Sequence, residues 1–240
     1  AFETIRRGDA TAVIAGSSEA VLLPIYHATW CSMRALAGDN DNPTKALKPF
    51  DLNRDGFIAG EGGAGMILED YDHAKARGAK IYCEVIGYGS SNDAYDMIAL
   101  HETGRGLKRA MRAALRKAAI DPAEIDYINP HGSGTPLNDR VETLVFKEIM
   151  GEAAYDASVS SVKPITGHCM GASGSVEALA CVLAIRDQKV PPTINYTTPD
   201  PECDLDYVPN EAKSRRVRVA MSTSVGLGGH NSCLLFREVN

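Results

Sequence analysis

The stretch SSVKPITGHCMGASG, Ser160–Gly174, decides how this chain is read. Val159–Val162, at its start, supplies β-branched strand formers. Gly167, Gly171 and Gly174 permit a tight loop and close backbone approach. A helix begins near Ser173, because Val176, Leu179, Ala180, Leu183 and Ala184 share one helical face. The spacing predicts strand, loop, helix, with Lys163 and His168 near the strand's exit. That is a usual location for chemistry in layered α/β proteins, although a single loop of this kind also serves as plain scaffold.

Two further stretches repeat the pattern. NPHGSGTPLND, Asn129–Asp139, follows a β-like run, Ile125–Ile128, and precedes a helical run from about Asp139. It places His131 among glycines. SVGLGGHN, Ser224–Asn231, joins two strand-like runs, Val217–Thr223 and Ser232–Arg237. One histidine at such a junction is usually structural. Two of them, with a third glycine-rich exit, predict one site assembled from separated segments.

The rest of the chain sets limits. Its 240 residues carry a formal charge of −6, enough for one large domain or two small ones. The mild acidity and the lack of a basic run with interleaved aromatics argue against a nucleic-acid partner. The longest apolar run, Ala178–Ile185, is too short to span a bilayer, and Ala1–Asp9 is too polar for a signal peptide. A cytoplasmic location with no membrane partner follows as the expectation. Cys31, Cys83, Cys169, Cys181, Cys203 and Cys233 form no CxxC pair, which predicts reduced, buried thiols and no metal site.

Ala1–Arg7 has the composition of the last turns of a helix stopped by Gly8, implying a region upstream. Thr11–Gly16 is expected to be a short buried strand, with Glu19 in a turn. Residues 38–63 form a loop in which DLNRDG, Asp51–Gly56, matches the opening of a calcium loop. Gly62 stands where that loop needs a bidentate Glu, so a packed, charge-paired loop is the better reading. Gly60–Asp70 is glycine-rich but lacks the Lys-Ser/Thr ending of a phosphate loop. Gly104–Ala119 is amphipathic, with Leu107, Ala110, Met111, Ala114, Leu115 and Ala118 on one side. Strands and helices alternate, which predicts an α/β layered fold.

PFDLNRDGFIAGEGGAGMILED, NPHGSGTPLND, SSVKPITGHCMGASGSVEALA, VPPTINYTTPDPECDLDYVP and GLGGHN, in this order, resemble the β-ketoacyl synthases, the condensing enzymes of fatty-acid and polyketide assembly. The resemblance implies a thiolase-like layered α-β-α-β-α fold. Residues 1–80 would be the C-terminal part of an incomplete first half, and residues 81–240 the complete second half. It implies catalytic His131, His168 and Lys163, with Glu142 as the acid paired to the lysine. The Leu227 backbone N–H would be an oxyanion donor, Val225, Leu227 and Gly228 a pocket gate, and Ser133 and Thr135 contacts to the substrate arm. Substrates would ride on the phosphopantetheine of an acyl carrier protein, with no other cofactor and no metal.

The family's nucleophilic Cys matches none of the cysteines here. Cys31 lies in an ordinary helix, and Cys169 follows His168 where an apolar residue is common. The nucleophile is therefore expected on an upstream segment or partner chain. The implied function is the decarboxylative Claisen condensation of a malonyl thioester with an acyl group, absent from this chain alone. A homo- or heterodimer is implied, because an uncovered sheet face would aggregate. A non-catalytic chain-length-factor-type subunit would have no reason to keep His131, Lys163 and His168 together. A non-decarboxylating acyltransferase of the same fold fits the HGSGTPLND and GHCMGASG motifs less well. Val225 and Leu227 replace bulky aromatics of the family, His230 replaces a small hydroxyl residue, and Asp39 stands where an Arg often meets the carrier. Arg6, Arg7, Lys45, Lys48 and Arg54 offer a basic docking face instead.

Overall fold

Alternating runs of β-branched residues and amphipathic helices settle into layers. The structure, a computed structural model, describes residues 1–239. The labelled elements are β1 (Ala12–Glu19), α1 (Pro24–Ser32), β2 (Gly62–Glu69), β3 (Glu84–Asn92), α2 (Arg105–Ala118), β4 (Tyr127–Asn129), α3 (Pro136–Met150), β5 (Ser158–Val159), α4 (Ser173–Asp187), β6 (Val219–Gly226) and β7 (His230–Arg237).

Five strands form a mixed sheet in the order β3-β7-β6-β4-β5. β4 runs parallel to both β5 and β6, and β7 is antiparallel to both β6 and β3. The turn Leu227–Gly229 joins β6 to β7, as the GLGG sequence predicts. On one face lie α2 and α3. Leu107, Ala110, Met111, Ala114 and Leu115 of α2 are buried with Val141, Val145 and Phe146 of α3 against Ile128, Met221 and Leu235 of the sheet. On the other face lies α4, which also packs on β2. The layers thus run helices, five-stranded sheet, helix, two-stranded sheet, four consecutive layers of the α-β-α-β-α arrangement of the thiolase fold.

The position of α4 between two sheets corrects its expected face. Glu177, Ala178, Cys181, Ala184 and Ile185 are buried, while Val176, Leu179, Ala180 and Leu183 are half-buried. A helix apolar on all sides carries little directional signal, because both sides find packing partners.

β1 is also corrected. It pairs only with β2 among the described residues and reaches Glu19, so that residue is in a strand and not a turn. One face of the pair packs on α4. The other is open, with Ile14 84% and Ile67 71% exposed. Cys31, expected to be buried, is exposed on α1.

The loop over residues 38–63 is held by charge. Asp51 Oδ2 accepts N–H bonds from Thr197 at 2.7 Å and Thr198 at 2.6 Å, and Oδ1 accepts from Asn53 at 2.9 Å. Asp55 accepts from the Gly38 N–H at 3.0 Å. With both Asp51 oxygens committed to backbone donors, the first ligand of the calcium-loop likeness is already spent. Arg54 is buried, 2.5 Å from Asp200 and 3.7 Å from Asp139. Phe50, fully buried, stacks on Tyr207 with ring centroids 4.1 Å apart. Among the described residues no helix is long and apolar enough to cross a membrane.

Removing one partner of a buried ion pair strands the other. Arg54→Ala is expected to lower the unfolding free energy by about 3–5 kcal/mol in a urea titration. Millimolar Ca²⁺ is expected to leave the melting temperature of the unaltered chain unchanged.

Candidate active site

Because β4, β5 and β6 are mutually parallel, their C-terminal ends share one sheet edge. The three motifs leave from that edge: Asn129–Thr135 from β4, Ser160–Lys163 from β5, and Ser224–Gly229 from β6. Gly132 adopts φ +44°, and a Cβ there would meet Ser161 Cβ at 2.6 Å. The Ser161 hydroxyl donates to the Gly132 carbonyl at 2.7 Å. Only glycine lets these two exits close on each other.

Glu142, fully buried on α3, fixes the histidine loop from below. It accepts N–H bonds from His131 and Gly132, each at 2.7 Å, from Asn138 Nδ2 at 2.9 Å and from the Thr223 hydroxyl at 3.0 Å. Burial pushes its carboxyl up to about 7, against the opposing pull of these donors and of Lys163.

Lys163 is 1% exposed. Its ammonium donates to the His131 carbonyl and pairs with Glu177 of α4. Glu177 also accepts from the Ser224 hydroxyl at 3.2 Å. The carboxylate paired with the lysine is therefore Glu177 and not Glu142. Consecutive residues of β6 serve the two acids on opposite faces of the sheet, Thr223 toward α3 and Ser224 toward α4. Sequence reasoning missed Glu177 because it lies within an apolar helix. Its signal was that isolation, since a carboxylate amid VEALACVLAI is tolerated in a core only when paired.

The two imidazoles meet edge to face, with centroids 5.2 Å apart and planes at 75°. His168 Nδ1 accepts the Met170 N–H at 3.1 Å and lies 3.0 Å from the Ser173 hydroxyl. An accepting Nδ1 places the proton of the neutral ring on Nε2. The backbone of His168 bridges to Ala59: its N–H donates to the Ile58 carbonyl at 2.7 Å, and its carbonyl accepts from Gly60 at 3.0 Å. A Cβ at Gly60 would sit 2.5 Å from the Thr166 carbonyl oxygen. The Phe57 ring lies 5.1 Å from the His168 ring. Burial, followed by the Lys163 charge, holds both imidazoles well below the usual histidine range, and His168 adds to the effect on His131. Two uncharged N–H donors near one another suit a developing oxyanion.

The remaining expected residues are more dispersed. The Ser133 and Thr135 hydroxyls are 3.0 Å apart at the start of α3. Val225 packs on the core between the sheet and the α2–α3 layer. Leu227 is 48% exposed on its turn, and the Gly228 N–H donates to the Met97 carbonyl at 2.8 Å. Cys169 is buried beside His168, and burial raises its thiol pKa, which disfavours the nucleophilic thiolate.

Comparison with known proteins agrees with this geometry. The family profile described as Beta-ketoacyl synthase, N-terminal domain, matches residues 1–74, and the one described as Beta-ketoacyl synthase, C-terminal domain, matches residues 82–197. The chain is 49% identical over 238 residues to 3-oxoacyl-[acyl-carrier-protein] synthase 2 of Synechocystis sp., covering 99% of this chain and 57% of that protein. A solved type II PKS acyl-carrier protein in complex with its ketosynthase, bound to the hexaketide, aligns with TM-score 0.96 and 43% identity over 99% of this chain and 59% of that one. The ishigamide ketosynthase/chain length factor aligns with TM-score 0.91 and 36% identity over 100% of this chain and 57% of that one. The chain thus spans a little over half the length of these relatives.

Below the ordinary histidine midpoint of about 6.5, His131 and His168 take up protons in the unfolded chain before they do so in the folded one. The stabilising contribution of His131 and His168 is therefore complete above that pH and lost as pH falls toward their depressed folded values. Glu142 acts in the opposite sense, its folded carboxyl raised from 4.5 to about 7. In an NMR titration of the ring protons, both imidazoles are expected to stay neutral throughout the ordinary range. Lys163→Met removes a nearby positive charge, so both midpoints are expected to rise.

Proposed function

Since the chain belongs to the β-ketoacyl synthase family, we propose that it carries the decarboxylating half of a Claisen condensation in fatty-acid or polyketide synthesis. The observation that supports this most directly is the edge-to-face pair of buried imidazoles, His131 and His168, with ring centroids 5.2 Å apart at a shared strand-exit edge. A malonyl thioester, carried on the phosphopantetheine of an acyl carrier protein, would place its thioester oxygen between His131 and His168. The bond to the carboxylate breaks, carbon dioxide leaves, and the electron pair passes into an enolate whose oxygen the two N–H groups stabilise. The enolate carbon then attacks an acyl thioester and expels a cysteine thiolate. Lys163 acts as a positioning residue, its charge fixing the His131 carbonyl and Glu177.

The acyl-accepting cysteine in this proposal comes from polypeptide outside these 240 residues or from a partner chain. Cys169, Cys181, Cys203 and Cys233 are buried, and burial raises the thiol pKa of Cys169, the one that adjoins His168. Ser133 and Thr135 would contact the pantetheine arm, the Leu227 N–H would hold the oxyanion of acyl transfer, and Val225, Leu227 and Gly228 would shape the pocket entrance. Residues 1–80 and 81–240 would be parts of the two thiolase-like halves. A dimeric assembly would cover the open face of β1 and β2. A chain-length-factor role has less support, because a subunit without chemistry gains nothing from a buried Lys163–Glu177 pair braced against the His131 loop.

The chain assembled with its cysteine-bearing complement is expected to release carbon dioxide from malonyl carrier protein. His131→Ala and His168→Ala are each expected to slow that release about 10²–10³-fold, and release that persists when both are replaced defeats the assignment. The chain alone is expected to form no condensation product. An acetyl-coenzyme A donor that outperforms malonyl carrier protein would favour the non-decarboxylating alternative.

A further inference from the structure

The Glu142 carboxylate accepts two hydrogen bonds on each oxygen, which fills its lone pairs. Oε1 accepts from the His131 N–H and the Thr223 hydroxyl, and Oε2 accepts from the Gly132 N–H and from Asn138 Nδ2. The last of these donors has no part in the mechanism above. Asn138 stands one turn before Glu142 on α3 and is 4% exposed. Its amide makes a second bond, to Asp139 Oδ1 at 3.1 Å.

Both amide hydrogens are thus spent on carboxylates. That fixes the orientation of the amide, because the reverse would set Oδ1 against two oxygens that only accept when ionised. Asn138 Oδ1 is left buried, with no donor among the described residues. An unmatched buried carbonyl costs stability, and the side chain caps no backbone N–H in return. What offsets that cost is the grip on the two acids.

The surroundings oppose charge on Glu142. Burial, with Asp139 on the same helix adding to it, pushes the carboxyl up to about 7, while the N–H groups of Gly132 and His131 and the charge of Lys163 pull it down. Burial raises Asp139 too, although Arg54 lies 3.7 Å away. Tyr207 and Cys203, near Asp139, are pushed up by burial and add no charge at neutral pH. A proton on Glu142 Oε2 would meet two N–H donors, those of Gly132 and Asn138, that cannot accept it.

We propose that Asn138 is a positioning residue, which keeps Glu142 in its carboxylate form and thereby holds the His131 loop in its working geometry at neutral pH. A protonated Glu142 grips the His131 and Gly132 N–H groups less firmly, and the imidazole carried by that loop loses its place. The kinetic consequence rests on the decarboxylating function proposed above; the clamp on the two acids does not.

The test follows carbon dioxide release from malonyl carrier protein between pH 6 and pH 9, using the chain assembled with its cysteine-bearing complement. In Asn138→Ala the acidic limb of kcat is expected to move up by about one unit, with KM unchanged. The loss is then about tenfold at pH 6 and close to nothing at pH 9. Asn138→Ser, which returns one donor, is expected to lie between, and is read in its place if the alanine variant does not fold. Thermal melting of the same assemblies gives the opposite trend. The lost bond favours the folded state only where Glu142 is ionised, so the deficit in melting temperature is expected to widen from pH 6 to pH 9. A loss of rate that is the same at every pH, or a melting deficit that does not change with pH, overturns the proposal. If the unaltered assembly releases no carbon dioxide at any pH, the functional reading fails and the melting comparison alone decides the role of Asn138.

Discussion

The Lys163 ammonium, buried between Glu177 and the His131 carbonyl, is the contact on which the rest of the site depends. An unpaired cation there would be costly to bury. Its two acceptors come from different layers: Glu177 from the helix between the sheets, and His131 from the loop that leaves β4. One charge therefore locks α4, the β5 exit and the β4 exit into a single geometry. Burial, with the same charge adding to it, holds both imidazoles well below the usual histidine range, which favours neutral rings able to donate a hydrogen bond over cations. Fold and chemistry meet in this one interaction.

Around it, the carboxylates divide their work. Glu142 holds backbone, gripping the N–H groups of His131 and Gly132. Glu177 holds charge. Asp139, one turn before Glu142, accepts from the Phe50 N–H at 2.8 Å and the Gly134 N–H at 3.2 Å, tying the loop over residues 38–63 to the same helix. Glu142 and Asp139 repel each other, and burial disfavours the charge on all three acids. They are tolerated because each is met by backbone donors or a cation.

The glycine-rich junctions, the meeting of the His131 and His168 segments and the amphipathic face of α2 were legible in the chain itself. Each rests on local rules, whether a turn that needs glycine or a 3.6-residue period. The partner of Lys163 was not legible, since Glu142 and Glu177 are both acids on helices and only the stacking of layers selects between them. Nor was the exposure of β1. A run such as TAVIAG has the same composition whether one face is covered or both are, and Ile14 is buried only if something outside the described residues lies against it. The face of α4 escaped for the same reason, because packing between two sheets erases the contrast on which periodicity depends.

The seam between Ala59 and His168 has a consequence for how such chains can be rearranged. The hydrogen bonds there join a segment matched by one family profile to a histidine matched by the other. Gly60 and Gly167 allow the backbones to touch with no room for a side chain on either. A recombination event that exchanged everything before β3 would leave His131, Lys163 and His168 in place and still replace the rail on which His168 rests. The two portions must therefore change together, and the crossover points that a gene of this kind tolerates are set by two hydrogens where two glycines meet.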